Sequence, residues 1–316
     1  MNKRRAIVDF VVIIMALALF FTWYSKKEND EAAIPTTLNR YLKVYLITMD
    51  KMDQFWYSVN QGAADMAALL GITYVWDAPE AKDVARQTEI LNNAVDDGAD
   101  VIMIAATDPI KISSAIEDAK ARGVKIIYVD SPAYEEAIIT LATDNYSAGV
   151  SAGETMISEL GAVGINSGSI GIVGVNTVTD STVNRENGFR ETIEMDGKYT
   201  LLGTEYADGD PVASQEVAAN FIKNNMDLVG LFGTNEGSTV GVGNAIKENN
   251  PQIIGIGFDK SGAILNLIRE GSLKAVLAQN PYTMGFLGMA EAAAVLKGYD
   301  TGPPYINTGV SVLTRP

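Results

Sequence analysis

Nearly every position is apolar in runs such as VIMIA at 101–105 and KIIYV at 125–129. A strand with one wet face alternates polar with apolar residues, so a run without alternation has to be covered on both faces. Parallel sheets sandwiched between helices meet that demand. Further short runs predict strands at Val44–Thr48, Thr73–Trp76, Ile138–Leu141, Ser169–Val173, Thr200–Thr204, Leu228–Phe232, Ile253–Gly257 and Lys274–Ala278. Amphipathic stretches separate them. In Phe55–Leu70, Val59, Ala63, Met66 and Leu70 recur at spacings of three and four, which marks a helix with one buried face. The same pattern predicts helices at Asp83–Val95, Ile112–Ala121, Tyr146–Leu160, Val183–Ile193, Pro211–Asn224, Gly237–Lys247, Gly262–Arg269 and Met284–Leu296. The class is α/β. So many alternations exceed one doubly wound unit, and residues 31–316 exceed the roughly 250 residues at which single cores divide. Two doubly wound parallel-sheet lobes are expected.

The first residues need separate treatment. Lys3, Arg4 and Arg5 precede an apolar stretch from Ala6 to Tyr24, interrupted only by Asp9 and Thr22. Nineteen helical residues rise about 28 Å, enough to cross a hydrocarbon layer. The basic cluster ahead of the span predicts a cytoplasmic N-terminus and a body on the other side. We expect a membrane anchor at 1–25, uncleaved rather than a cleaved signal, and a linker at 26–42 (KKENDEAAIPTTLNRYL).

Composition excludes whole classes of function. The chain has no histidine and no cysteine. That removes Ser-His and Cys-His nucleophiles, ordinary zinc sites and the usual neutral-pH general base. The first 30 residues hold five cations and three anions, so the whole-chain charge of −15 leaves −17 on the rest. Such a body repels phosphate backbones, and nucleic acid is not an expected partner. GIVGVN lacks the order of a dinucleotide motif, and Asp208-x-Asp210 lacks the further ligands of a calcium loop. No cofactor or metal is expected.

Ligands bind such sheets beyond the carboxyl ends of the strands. The residues there are Asp50, Asp53, Phe55 and Trp56, then Ala106 and Asp108, Asp130 and Ser131, and Asp144 and Asn145. The second half adds Asp208 and Asp210, Asn235 and Glu236, Asp259 and Lys260, and Gln279 and Asn280, with Arg185 from a nearby loop. Carboxylates and amides accept from hydroxyls, and a guanidinium donates two parallel hydrogen bonds. Phe55 and Trp56 offer flat faces to the C–H side of a sugar ring. Adjacent helical residues do not face one core, so this pair implies a contact outside it. Asp130 and Asn235 have a second reading as helix N-caps, and Asp50 and Asp53 as solvated loop acids.

The segments ITMDKMDQFWYSVNQGA, GVKIIYVDSPA, LATDNYSAG, RENGF, LFGTNEGSTVGVGNAI, IIGIGFDKS and AVLAQNPYTMG occur in that order. Over residues 43–316 the chain resembles the periplasmic ribose- and galactose-binding proteins, the pentose/hexose branch of type I solute-binding proteins. The resemblance implies Asp53, Phe55, Trp56, Asp130, Arg185, Asn235, Asp259 and Gln279 as sugar ligands. It also implies lobes at 43–143 with 280–308 and at 144–279 with 309–316, hinged at crossings near Asp144, Thr234 and Asn280. Where ribose receptors place an Arg and a stacking Phe, this chain has Ser131 and Gly209, so a pentose other than ribose, or a hexose, is expected. The implied function is an extracytoplasmic receptor that closes on a monosaccharide and presents it to an ABC importer or a sensor kinase. The competing reading is a sugar-modifying enzyme using paired carboxylates such as Asp130 and Asp259.

Overall fold

A computed structural model describes residues 42–315. The anchor expected at 1–25 lies outside the described residues, as does the 26–42 linker apart from Leu42. Among the described residues no helix is long and apolar enough to cross a membrane.

The first sheet contains β1 (Lys43–Ile47), β2 (Thr73–Asp77), β3 (Val101–Ile104), β4 (Lys125–Val129) and β5 (Thr140–Ala142), with β12 (Tyr305–Asn307) at its edge. Their order in space is β12-β5-β4-β3-β1-β2, and every pairing is parallel. Helices α1 (Gln54–Leu70), α2 (Val84–Asp96), α3 (Ser113–Ala121) and α9 (Pro281–Leu296) accompany it. The second sheet holds β6 (Gly168–Gly174), β7 (Tyr199–Leu201), β8 (Glu205–Tyr206), β9 (Leu228–Gly233), β10 (Ile254–Phe258), β11 (Ala275–Gln279) and β13 (Val310–Thr314). Its order is β13-β11-β10-β9-β6-β7, with β8 also on β6, and only β13 runs antiparallel to its neighbour. Helices α4 (Asn145–Ala162), α5 (Asp180–Asp196), α6 (Pro211–Asn224), α7 (Glu236–Asn249) and α8 (Gly262–Glu270) belong to this lobe.

The doubly apolar strands are explained by where their alternate residues go. In β3, Val101 and Met103 join one buried cluster with Phe55, Val59 and Met284, while Ile102 and Ile104 join another with Ile90, Leu91 and Ile116. The second sheet is covered in the same way. Ile170 and Ile172 pack with Met156 and Phe189, and Val173 packs on the other face with Phe221 and Val242. Each fully buried aliphatic side chain contributes about 1.5–3 kcal/mol. The strands that the sequence pattern misses are β8, β12 and β13. Their residues are exposed or only half-buried, so no buried apolar run marks them.

Two helix pairs pack backbone to backbone. A Cβ on Gly62 of α1 would stand 2.1 Å from the Tyr282 carbonyl oxygen, and one on Gly188 of α5 would stand 2.2 Å from that of Tyr146. Only glycine permits such approach, and it sets α1 and α5, which carry Phe55, Trp56 and Arg185, tightly against their lobes. The chain passes between the sheets after β5, after β11 and between β12 and β13. Thr234 is therefore not a crossing: it joins β9 to α7 within the second lobe, and the third crossing lies at 308–309.

Candidate functional site

The strand tips of both lobes face each other across a cavity. All eight residues singled out above line it: Asp53, Phe55, Trp56 and Asp130 from the first lobe, and Arg185, Asn235, Asp259 and Gln279 from the second.

The two lobes use the same local device to aim a carboxylate. Asp130 follows β4 with φ +66°, and Asp259 follows β10 with φ +72°. A left-handed backbone at a residue other than glycine is strained by roughly 1–3 kcal/mol, and short polar side chains bear it best. In each case the backbone N–H still reaches the neighbouring strand, Asp130 to the Leu141 carbonyl and Asp259 to that of Leu277, both at 2.9 Å. The turn rotates the side chain into the cleft without breaking the ladder.

Arg185 is buried and held on three sides. Its Nε donates to Asn145 Oδ1 at 2.9 Å, one terminal nitrogen donates to the Thr234 carbonyl at 3.1 Å, and the other lies 3.7 Å from Asp130 Oδ1. The guanidinium sits 4.3 Å from the centre of the Phe258 ring. Asp130 Oδ1 is buried without a hydrogen bond, while Oδ2 accepts from Ser131 Oγ at 2.8 Å. Gln279 donates to Asp259 Oδ1 and accepts from Thr143 Oγ, both at 2.8 Å, tying the site to two of the crossings. Burial pushes the Asp259 carboxyl up, although Arg185 pulls the other way.

Asn235 combines both of its readings. It caps α7, its Oδ1 accepting from the Ser238 N–H at 2.9 Å, and it also lines the cavity. Asp50 serves a turn instead, accepting from the backbone N–H groups of Met52 and Asp53 at 2.7 and 3.0 Å. Asp210 caps α6 through Val212 and Ala213, which explains the calcium-like fragment. Phe55 and Trp56 share one core, contrary to the expectation that adjacent helical residues do not. Both rings, in the first turn of α1, join the same buried cluster, edge to face at 4.8 Å. Trp56 Nε1 is buried with no hydrogen-bond partner.

The cavity also holds Lys82, Thr179, Ser181 and Thr182, which the sequence reading does not single out. The rule of reading past each strand tip, extended to β2, reaches Lys82 five residues on. The lobes touch directly as well. Glu236 accepts from the backbone N–H groups of Gln54 and Phe55 at 3.2 and 3.1 Å, Thr179 Oγ donates to the Thr107 carbonyl at 3.1 Å, and Ser131 and Ser181 hydroxyls lie 2.8 Å apart. Burial, with Asp259 and Asp53 nearby, pushes the Glu236 carboxyl up to about 7. Burial also raises Asp53 to about 6, against the pull of Lys82. The walls are thus rich in acceptors, carry two cations and present two aromatic rings. That arrangement suits a small uncharged molecule with many hydroxyls. Among the described residues no cluster of acidic side chains is placed to hold a metal ion.

Known proteins resemble this chain along most of its length. The ribose import binding protein of Bacillus subtilis is 27% identical over 292 residues, covering 91% of this chain and 93% of that protein. A solved carbohydrate-transporter solute-binding protein of Agrobacterium radiobacter, in complex with D-arabinose, is 28% identical with a TM-score of 0.84, covering 87% of this chain and 95% of that one. A solute-binding protein of an ABC transporter from Agrobacterium vitis, with bound D-fucose, is 28% identical with a TM-score of 0.80, covering 86% of this chain and 95% of that one. The sequence profile of the periplasmic binding protein domain matches residues 44–300. With that match over most of its length, and with two parallel-sheet lobes around one cleft, the chain belongs to the periplasmic binding protein domain family.

Proposed function

We propose that this chain is an extracytoplasmic receptor that closes lobes 43–143 with 280–308 and 144–279 with 309–316 around a monosaccharide and hands it to an ABC importer. It catalyses nothing. The observation that carries the reading is the convergence of eight acceptors, donors and rings from both lobes on one cavity. Asp53, Asp130, Asn235, Asp259 and Gln279 meet the ligand's hydroxyls, Arg185 donates to its oxygens, and Phe55 and Trp56 cover its C–H face. Import is favoured over signalling to a sensor kinase by the relatives, which are import and transporter binding proteins by name.

A thermal-shift screen of D-ribose, D-arabinose, D-xylose, D-galactose and D-fucose tests the ligand class. A sugar held at a thousand times its Kd stabilises by about 4 kcal/mol. With Ser131 and Gly209 where ribose receptors place an Arg and a stacking Phe, a pentose other than ribose, or a hexose, is expected to outrank D-ribose. If none of the five raises the melting temperature, the sugar reading fails. We further propose that residues 1–25 anchor the receptor to the membrane. Alkaline extraction is then expected to leave it in the membrane pellet, and release into the supernatant would refute the anchor.

A further inference from the structure

Lys82 enters the cleft from the loop between β2 and α2. Its side chain is 14% exposed, and its Nζ lies 3.1 Å from Asp50 Oδ2 and 3.5 Å from Asp53 Oδ2. Burial opposes its charge, but Asp53 and Asp50 outweigh burial and raise its pKa, so it remains an ammonium. Across the cleft, the second lobe makes room for it. Gly209 has φ +73°, and a Cβ there would stand 3.1 Å from Lys82 Nζ and 2.7 Å from Asn235 Nδ2. A side chain at 209 would displace both groups, so the glycine leaves space that a cation and an amide occupy together.

We propose that Lys82 is a specificity-determining residue of this site, its ammonium seated against Gly209 and pinned by Asp50 and Asp53 so that its remaining N–H donates to an oxygen of the bound sugar. The inference rests on the sugar reading above and deepens it. An ammonium has three N–H donors: one is given to Asp53 Oδ2, and a second faces Asp50 Oδ2 as an ion pair at 3.1 Å. The third, in a wall of the cavity, gains a partner when a ligand oxygen arrives there. Because the donor is fixed in position, it rewards an oxygen at one place and orientation on the ring. It therefore distinguishes epimers, which differ only in where one hydroxyl points. The net charge around it argues for a neutral ligand: Asp50, Asp53, Asp130 and Asp259 outnumber Lys82 and Arg185, so a sugar acid would be repelled.

The competing role for Lys82 is charge balance for Asp50 and Asp53 without ligand contact. Discrimination between sugars separates the two roles. Calorimetry on the full-length chain would use D-ribose, D-arabinose, D-xylose, D-lyxose, D-galactose and D-fucose as probes. The proteins would be wild type, Lys82→Met and Lys82→Arg, with Lys82→Gln as a second neutral variant should the Met variant lose its cooperative melt. For the best-bound sugar, Lys82→Met should weaken binding about thirtyfold or more, the loss of a charged donor to a desolvated oxygen. Its epimers should lose less, so that the preference between two sugars differing at one hydroxyl falls at least about tenfold. Lys82→Arg, which keeps donors in place, should retain part of that preference. An equal loss for every sugar, or no loss at all, overturns the proposal and leaves Lys82 as a charge balancer while the sugar reading stands. If no probe binds wild type, the sugar reading itself fails and this inference falls with it.

Discussion

Arg185→Met is expected to weaken binding of the preferred sugar by about two to three orders of magnitude and to lower the melting temperature of the protein without ligand. The two losses have one cause. The Arg185 guanidinium is buried between Asp130, the Asn145 side chain, the Thr234 carbonyl and the Phe258 ring. It also pulls the Asp259 carboxyl down against burial. Methionine preserves the stem and most of the volume, so the change deletes charge and donors without opening a large cavity. Asp130 and Asp259 then lie buried with no cation between them, and breaking a buried pair from one side costs about 3–5 kcal/mol. The sugar loses its donor fork at the same time. Adding Asp130→Asn to Arg185→Met should restore part of the stability, because it removes one orphaned charge, but not the affinity. Calorimetry and melting on the single and double variants check this. Undiminished affinity in Arg185→Met would remove Arg185 from the site, and independent, additive stability effects would remove the Asp130 pairing.

The second large effect is on closure, and its sign runs against intuition. Glu236 bridges the lobes by accepting from the backbone N–H groups of Gln54 and Phe55, which suggests a latch that acid would break. Its pKa points the other way. With the lobes in contact, burial holds the carboxyl at about 7, whereas its ordinary value is 4.5. The closed form therefore keeps a proton that an open, hydrated cleft gives up. Its advantage is complete below about pH 4.5 and is lost as pH rises through about 7. A difference of that width is worth on the order of 3 kcal/mol. Asp53, raised to about 6, and Asp259, also raised, add to it with the same sign. The ligand-free protein should accordingly open as pH rises from 5 to 8, seen as a growing radius of gyration in small-angle scattering. Glu236→Gln keeps one carbonyl acceptor and removes the charge, so at pH 8 it should be the more closed of the two and should show the flatter curve. A flat curve for wild type, or an equally steep one for Glu236→Gln, would rule out Glu236 as the source.

How much of this was legible beforehand depends on the range of the interaction involved. Runs such as VIMIA demand cover on both faces whatever the rest of the chain does, so the parallel sheets and their flanking helices follow from local pattern. Placing Asp130, Asp259, Asn235 and Gln279 at one site follows from a rule of the fold, that strand tips converge. Local pattern is blind to edge strands such as β12 and β13, whose residues are not buried and which exist only because a sheet edge is there to pair with.

What the sequence by itself determined is the class of fold, the acidic and histidine-free chemistry, and the set of strand-tip residues that line the cavity. Tertiary structure decided the division of labour among them. Asp50 and Asp210 look like Asp53 and Asp130 in the chain, yet Asp210 spends its carboxylate on helix N–H groups and Asp50 divides its own between a turn and Lys82. Lys82 meets Gly209, and Glu236 meets Gln54, across the cleft between positions far apart in sequence. The raised pKa values of Glu236 and Asp53 come from the same source. Desolvation and the field of neighbouring charges exist only once two lobes have come together, and no spacing along the chain encodes them.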